Sequence, residues 1–199
     1  MESPEFVDPY VDPETGVLKN LVGAVTREQL AQAEADFVVP RLLALDDLGK
    51  VPFNLEGMCK IHHFLFQDLF GWAGHVRLVD IRKNEEGAQF FLPVSFIQRA
   101  SDFAASELAG ENNLKGLNRE EFIRRLAYHY DQWNYIHPFR EGNGRTQRVF
   151  WGILSEEAGW LLEWQPVLGK MNDEASRLAA EDEDRSALEE MFKLVVKPL

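Results

Sequence analysis

Apolar side chains recur at three- and four-residue intervals along most of this 199-residue chain, and helix-start signals precede several of these runs. Thr26 with Gln29, Ser95 with Gln98 and Ser186 with Glu189 each fit a capping box, a hydroxyl followed three residues later by Glu or Gln. Asn118 with Glu121, and Asn54 alone, are weaker N-cap signals of the same kind. Over 54–70, Leu55, Met58, Ile61, Leu65, Phe66 and Leu69 form one buried stripe, and Gly71 ends it. Phe122, Leu126, Tyr130 and Trp133 repeat the pattern over 118–136. Residues 96–108, 146–158 and 186–196 also read as helices, while Pro40 inside 26–48 predicts a kink or two short helices there. The pattern predicts an all-α fold, a helical bundle.

Residues 76–92 depart from it. A β-rich run (Val76 to Arg82), a polar turn ending in Gly87, and an aromatic run (Phe90, Phe91) predict a β-hairpin. Two strands alone are marginal in water, so this hairpin must lean on the helices or await a partner. Residues 1–25, with Pro4, Pro9, Pro13, Gly16 and Gly23, read as an irregular arm, and 26–199 as one domain. The acidic cluster Glu181-Asp182-Glu183-Asp184 reads as a solvated loop before the last helix.

Charge narrows the function. The formal net charge is −12, without the global basic excess that binding to a phosphate backbone requires, so direct nucleic-acid binding is argued against. Any site for a phosphate-bearing ligand must be local and pre-arranged. No apolar run approaches the roughly eighteen residues of a membrane span. The acidic N-terminus lacks the pattern of a secretory signal. Cys59, the single cysteine, reads as a small core residue and suits a reducing compartment.

The local site is the run His137-Pro138-Phe139-Arg140-Glu141-Gly142-Asn143-Gly144-Arg145-Thr146-Gln147-Arg148, between two predicted helices. Gly142 and Gly144 permit positive φ and close backbone approach, and with Asn143 they can turn successive N–H groups inward as an anion nest. The helix beginning near Arg145 adds unpaired N–H groups and the positive end of its dipole. Arg145 and Arg148 lie three apart, on one helix face, and can both reach toward a polyphosphate. Glu141 offers a hard oxygen ligand, and Mg²⁺ usually takes one or two carboxylates plus substrate phosphates. His137, with an ordinary pKa of about 6.5, is a natural base for a hydroxyl. Pro138 and Phe139 read as structural. A Gly-Asn-Gly loop alone is usually a turn and a lone histidine a surface residue; it is their combination within twelve residues that points to chemistry.

Other groups carry less. His62 and His63 are adjacent and point differently, so at most one faces a cleft. His129 and His137 share a helical face, but two histidines without a third ligand are weak evidence for zinc. Trp72 and Trp133 read as core residues.

The twelve-residue run resembles the motif of the Fic family, His-x-Phe-x-(Asp/Glu)-(Gly/Ala)-Asn-Gly-(Arg/Lys)-x-x-(Arg/Lys), at every specified position. The arm with Asp8-Pro9-Tyr10 and Asp12 to Val17, and the Ile61-His62 helix leading to Gly71-Trp72-Ala73-Gly74, resemble the bacterial toxin and translocated-effector branches. The resemblance implies a Fic fold, a helical core with the 76–92 hairpin as a flap. It implies a protein adenylyltransferase that moves AMP from ATP, with Mg²⁺, to a Ser, Thr or Tyr hydroxyl of a target protein. On that pattern His137 deprotonates the target hydroxyl and Glu141 holds the metal. Gly142, Asn143, Gly144 and Arg145 bind phosphates, and Arg148 meets the terminal phosphate. The flap, through Val79, Ile81, Phe90 and Phe91, would clamp an extended target segment by strand addition. Alternatives are transfer of another phosphate-linked group, phosphate or phosphocholine, and a non-catalytic adaptor. Arg148 and the complete motif argue against them.

Many Fic enzymes carry an inhibitory helix, (Ser/Thr)-x-x-x-Glu-(Gly/Asn), whose glutamate pairs with the second motif arginine. Ser186 with Glu190 comes nearest, but Met191 follows. The expectation is that a separate antitoxin supplies that glutamate to Arg148. Similar toxins modify DNA gyrase and topoisomerase IV, whereas effector relatives modify host proteins and usually carry a further C-terminal domain. The expected setting is therefore the bacterial cytoplasm, with translocation into a host cell as the alternative.

Overall fold

The computed structural model of the protein describes residues 7–82, 91–167, 169–182 and 184–199, without the side chains of 181 and 182. Its helices are α1 (Arg27–Leu43), α2 (Leu55–Phe66), α3 (Ile97–Gly110), α4 (Arg119–Ile136), α5 (Asn143–Glu157), α6 (Gly169–Asp182) and α7 (Ser186–Val195). The long α4 is central, packing on α3, α5, α6 and α7, while α2 lies between α1 and α5. Its inward stripe of Phe122, Leu126, Tyr130 and Trp133 is fully buried. The α2 stripe of Met58, Ile61, Leu65 and Phe66 meets it across Phe150 and Trp151 of α5 to make one core. Burying side chains of this size is what holds such a bundle together; truncating one typically costs about 2–5 kcal/mol.

The polar starts of α1, α2 and α4 form as the sequence indicates. The Thr26 hydroxyl accepts from the Gln29 N–H at 3.2 Å, Asn54 Oδ1 from the Gly57 N–H at 3.0 Å, and Asn118 Oδ1 from the Glu121 N–H at 3.0 Å. Two expected boxes do not form. A 3₁₀ turn, Val94–Phe96, occupies the Ser95 position, so α3 starts at Ile97 without a side-chain cap. Ser186 is already helical, and the N-cap is Arg185, without a side-chain bond; the Asp184 carboxylate before it accepts from the Ser186 N–H and hydroxyl, both at 2.9 Å.

Boundaries differ elsewhere too. The α1 helix runs through Pro40, and the break falls at Ala44 before a 3₁₀ turn, Leu45–Leu48. Pro40 sits in the last turn, where its missing N–H costs a single backbone bond. The α2 helix stops at Phe66, and Leu69 and Phe70 stay buried because both their N–H groups turn back to the Phe66 carbonyl. Glu181 and Asp182, expected in a loop, end α6. A two-stranded antiparallel sheet, β1 (Trp160–Leu162) with β2 (Val196–Pro198), closes the C-terminus over α5, with Leu161 opposite Lys197.

The arm is tied down by specific bonds. Asp12 caps a tight turn that brings Val11 and Leu18 into a β-bridge. The Tyr10 ring meets Trp72 edge-on at 5.2 Å, and its hydroxyl accepts from the Leu78 N–H at 3.0 Å. Asp8 pairs with Arg140 at 2.8 Å. Of the predicted hairpin, the first run forms no strand over 76–81, because its backbone turns to the loop after α4, with the Arg77 N–H donating to the Pro138 carbonyl at 2.8 Å; the described ends meet where the Phe91 N–H donates to the Ile81 carbonyl at 3.0 Å. Its predicted turn and Phe90, within 83–90, lie outside the described residues.

Candidate active site

The chain leaves α4 at His137, whose backbone is left-handed (φ 47°, ψ 62°). The proline that follows explains why the helix stops there. A non-glycine residue in this region costs of order 1–3 kcal/mol unless its surroundings hold it. The His137 N–H caps α4 at the Trp133 carbonyl, 3.1 Å away, and its own carbonyl accepts from Arg77 Nε–H at 2.8 Å. The imidazole stacks on Phe91 with centroids 3.6 Å apart. Its Nδ1 faces the Asn134 carbonyl at 3.2 Å. A carbonyl only accepts, so Nδ1 carries the proton and Nε2 the lone pair in the neutral ring.

The loop beyond is braced from below. Phe139 is buried and stacks on His62 at 4.0 Å. Asn143 closes a ring with the Phe139 backbone, accepting from its N–H at 2.9 Å and donating to its carbonyl at 2.8 Å. His62 is fully buried; its Nδ1 accepts from the Gly74 N–H at 2.8 Å, so its Nε2–H donates to the Glu141 carbonyl at 3.0 Å. Burial pushes its pKa down to about 4, which keeps it neutral. Gly142 has φ 81°, and a Cβ there would stand 2.6 Å from the Phe66 ring. Only glycine fits.

Gly142 is also the N-cap of α5, and no side chain caps that end. The first N–H groups of the helix therefore have no internal acceptor, and the helix dipole adds partial positive charge. A Cβ built on Gly144 would meet nothing within 4 Å, so neighbouring atoms do not dictate a glycine there. Beside this end lies a cavity of about 200 Å³ lined by Tyr130, Asn134, His137, Glu141, Gly142 and Gly144, and by Asn172, Asp173 and Ser176 from α6. The Glu141 side chain is 45% exposed, and its carboxylate accepts from the Gly142 N–H at 3.0 Å.

Residues 52–154 match the family model described as the Fic/DOC family. The chain belongs to that family. It is 41% identical over 164 residues to protein adenylyltransferase VbhT of Bartonella schoenbuchensis, a match spanning 80% of this chain and 33% of VbhT. It is 35% identical over 189 residues to the probable protein adenylyltransferase Fic of Salmonella typhimurium, spanning 95% and 92% of the two chains. The crystal structure of BepC, a VirB-translocated effector of Bartonella tribocorum with bound AMPPNP, superposes with a TM-score of 0.86 at 25% identity, over 96% of this chain and 97% of that one.

The fold brings most of the Fic motif to one place. His137, Glu141, Gly142, Asn143 and Gly144 share the cavity wall. The Asn143 side chain is occupied with bracing the loop, which leaves its backbone N–H for a ligand. The two arginines are held apart from the cavity lining among the described residues. Arg145 pairs with Glu34 at 3.0 Å and packs over Phe66, whereas Arg148 lies over the Trp164 ring at 5.0 Å. Val79, Ile81 and Phe91, expected to dock a target, are partly exposed. Among the described residues no three His, Cys, Asp or Glu side chains converge on a metal position, and His129 lies against Glu111. Sequence reasoning missed Glu34, Arg77 and the α6 wall, and it set His62 aside on adjacency alone. For Glu34 and α6 no motif was available to find them.

Proposed function

We propose that the protein transfers AMP from ATP to a Ser, Thr or Tyr hydroxyl of a target protein, and so is a protein adenylyltransferase. The observation that carries this reading is the His137 imidazole, its tautomer set by Asn134, on the wall of a cavity that opens on the uncapped N-terminus of α5. His137 Nε2 takes the proton of the target hydroxyl as its oxygen bonds to the α-phosphorus. The bond from that phosphorus to the bridging oxygen breaks, and pyrophosphate leaves. Asn143 and Gly144 offer backbone N–H groups to the phosphates, Gly142 joins them once its N–H leaves the Glu141 carboxylate, Arg145 adds charge, and Arg148 meets the terminal phosphate.

Glu141 fits a Mg²⁺ that comes with its nucleotide. A single partly exposed carboxylate stands beside the phosphate nest, and such an ion needs one or two carboxylates plus phosphate oxygens. Bound there, the ion would offset charge on the phosphates. The roots of the flap at Val79, Ile81 and Phe91, with Phe90, receive an extended target segment. Residues 1–25 form an arm on a single Fic domain, 26–199.

The biological setting proposed is a toxin restrained by a separate small antitoxin. Arg148 forms no ion pair among the described residues, and a glutamate from another protein would meet it. DNA gyrase and topoisomerase IV are candidate targets in the bacterial cytoplasm. The likeness to BepC favours a second reading, an effector acting on host proteins.

The test is to incubate the chain with Mg²⁺ in a cell lysate with α-labelled and, separately, γ-labelled ATP. Protein labelled from the α position alone supports AMP transfer, and labelling from γ alone makes the protein a kinase. For the antitoxin, a purified chain that is inert until a terminus is trimmed would overturn the idea.

A further inference from the structure

Arg77 is 1% exposed, a whole guanidinium inside the fold. Its nearest carboxylate, Asp80, is 3.8 Å away and more than half exposed. Its donors go to main-chain carbonyls. Nε–H donates to His137 at 2.8 Å, Nη1–H to Val79 at 2.8 Å, and Nη2–H to Leu92 and, at 3.5 Å, to Ile136. The Arg77 backbone N–H donates to the Pro138 carbonyl at 2.8 Å. One residue thus joins the left-handed turn at His137 to both roots of the flap.

A buried cation costs several kcal/mol in desolvation, and an apolar side chain would fill the same space more cheaply. What an apolar side chain cannot do is fix three separate segments by a planar fork of charged donors. Neighbouring bonds point the same way. The Leu92 N–H donates to the Tyr135 carbonyl at 3.1 Å, the Val94 N–H to Asp80 Oδ1 at 2.8 Å, and Phe91 stacks on the imidazole itself. None of the Arg77 bonds reaches the phosphate nest at 141–145.

We infer that Arg77 is a positioning residue that sets the flap roots at Val79 and Leu92 in register with His137, so that a hydroxyl carried by a docked target strand arrives at the imidazole. The inference rests on the AMP-transfer reading and names the part of the machinery that aligns the protein substrate. Misalignment by about 1 Å far from the reacting atoms can cost about 10²-fold in rate. Loss of the fork should therefore weaken transfer while sparing nucleotide binding.

The test uses the full chain with Arg77→Lys, which keeps the charge and loses the fork, and Arg77→Ala, which leaves a cavity with room for a guanidinium ion. Three quantities are read: labelling of lysate proteins from α-labelled ATP, calorimetric binding of AMPPNP with Mg²⁺, and amide hydrogen exchange. In Arg77→Lys, labelling should fall about 10²-fold with AMPPNP affinity unchanged. Exchange should quicken at 78–82, 91–92 and 136–138 and nowhere else. Added guanidinium ion should restore labelling to Arg77→Ala and leave a His137→Ala control inert. Unchanged labelling, a parallel loss of AMPPNP binding, or loss of folding in both variants by circular dichroism would each overturn the inference. If the wild-type chain transfers no AMP, that reading fails by itself, and the exchange pattern still decides whether Arg77 is the joint.

Discussion

Glu34 and Arg145 form a two-pronged ion pair, with both Nη atoms of the arginine 3.0 Å from the glutamate oxygens. The pair brings α1, outside the matched residues 52–154, to the start of α5. It also places a second carboxylate near the proposed phosphate nest, since Arg145 lies 3.6 Å from Glu141 as well. A polyphosphate entering there competes with Glu34 for one guanidinium and is repelled by its charge. Glu34→Gln should therefore tighten AMPPNP binding by about 2- to 5-fold, the worth of a partly exposed pair of up to ~1 kcal/mol. Calorimetry at low and high salt checks it. A weaker affinity would show instead that Glu34 holds Arg145 in its ligand-binding pose.

Two glycines of the motif should respond in opposite ways to the same substitution. Gly142→Ala puts a Cβ 2.6 Å from Phe66, a fully buried ring, at φ 81°. Strain and overpacking of that kind cost about 1–3 kcal/mol each, so its melting temperature should drop by several degrees. Gly144→Ala meets nothing within 4 Å and sits in the first turn of a helix, where alanine is favoured by up to ~1 kcal/mol. Its melting temperature should hold or rise while its affinity for AMPPNP falls, because the methyl group occupies ligand space. Thermal melts paired with titrations separate the two, and a Gly144→Ala protein that binds AMPPNP normally would count against the nest.

What could be read beforehand follows from the length scale of each signal. The helices with long apolar side chains, α2 and α4, were legible because their stripes are Leu, Ile, Phe and Trp at regular spacing. The α6 helix was not, since its buried face is Ala175, Ser176 and Ala179, too small to register as an apolar stripe. With it went the far wall of the cavity, Asn172, Asp173 and Ser176. The three-residue strands at Trp160 and Val196 are likewise too short to show a period. In the site, the motif was legible as a block because its chemistry is consecutive. Glu34 and Arg77 reach it from 111 and 60 residues away, and nothing local marks either one.

Removing the base should leave the nucleotide site standing. His137 bonds to Asn134 and stacks on Phe91, and the phosphate-facing N–H groups of α5 do not depend on its ring. His137→Ala should cut AMP transfer by about 10²–10⁴-fold, the typical worth of a general base, with AMPPNP affinity retained. An unchanged rate would remove His137 from that role. Glu141→Ala should raise the Mg²⁺ concentration needed for half-maximal transfer, read from a metal titration at fixed ATP.

Acid should unfold the chain in a window set by its buried imidazoles. His129 is fully buried beside Glu111, Arg125 and Glu107, with Tyr128 edge-on to it. Burial holds its pKa below the ordinary value, outweighing the Glu111 carboxylate 3.3 Å away. The unfolded chain thus binds a proton near pH 6.5 that the folded chain refuses, so stability is present above that pH and is lost as pH falls. His62, whose pKa burial pushes down to about 4, contributes to the same slope. Burial pushes Glu111 up, but Arg125 and His129 pull it below its ordinary value, so its share is lost only further into acid. Urea unfolding at pH 7, 6 and 5 should show a falling midpoint. His129→Gln removes one such proton and should make that fall shallower. A variant whose midpoint falls as steeply as the wild type's would mean that His129 is already able to take its proton in the folded protein.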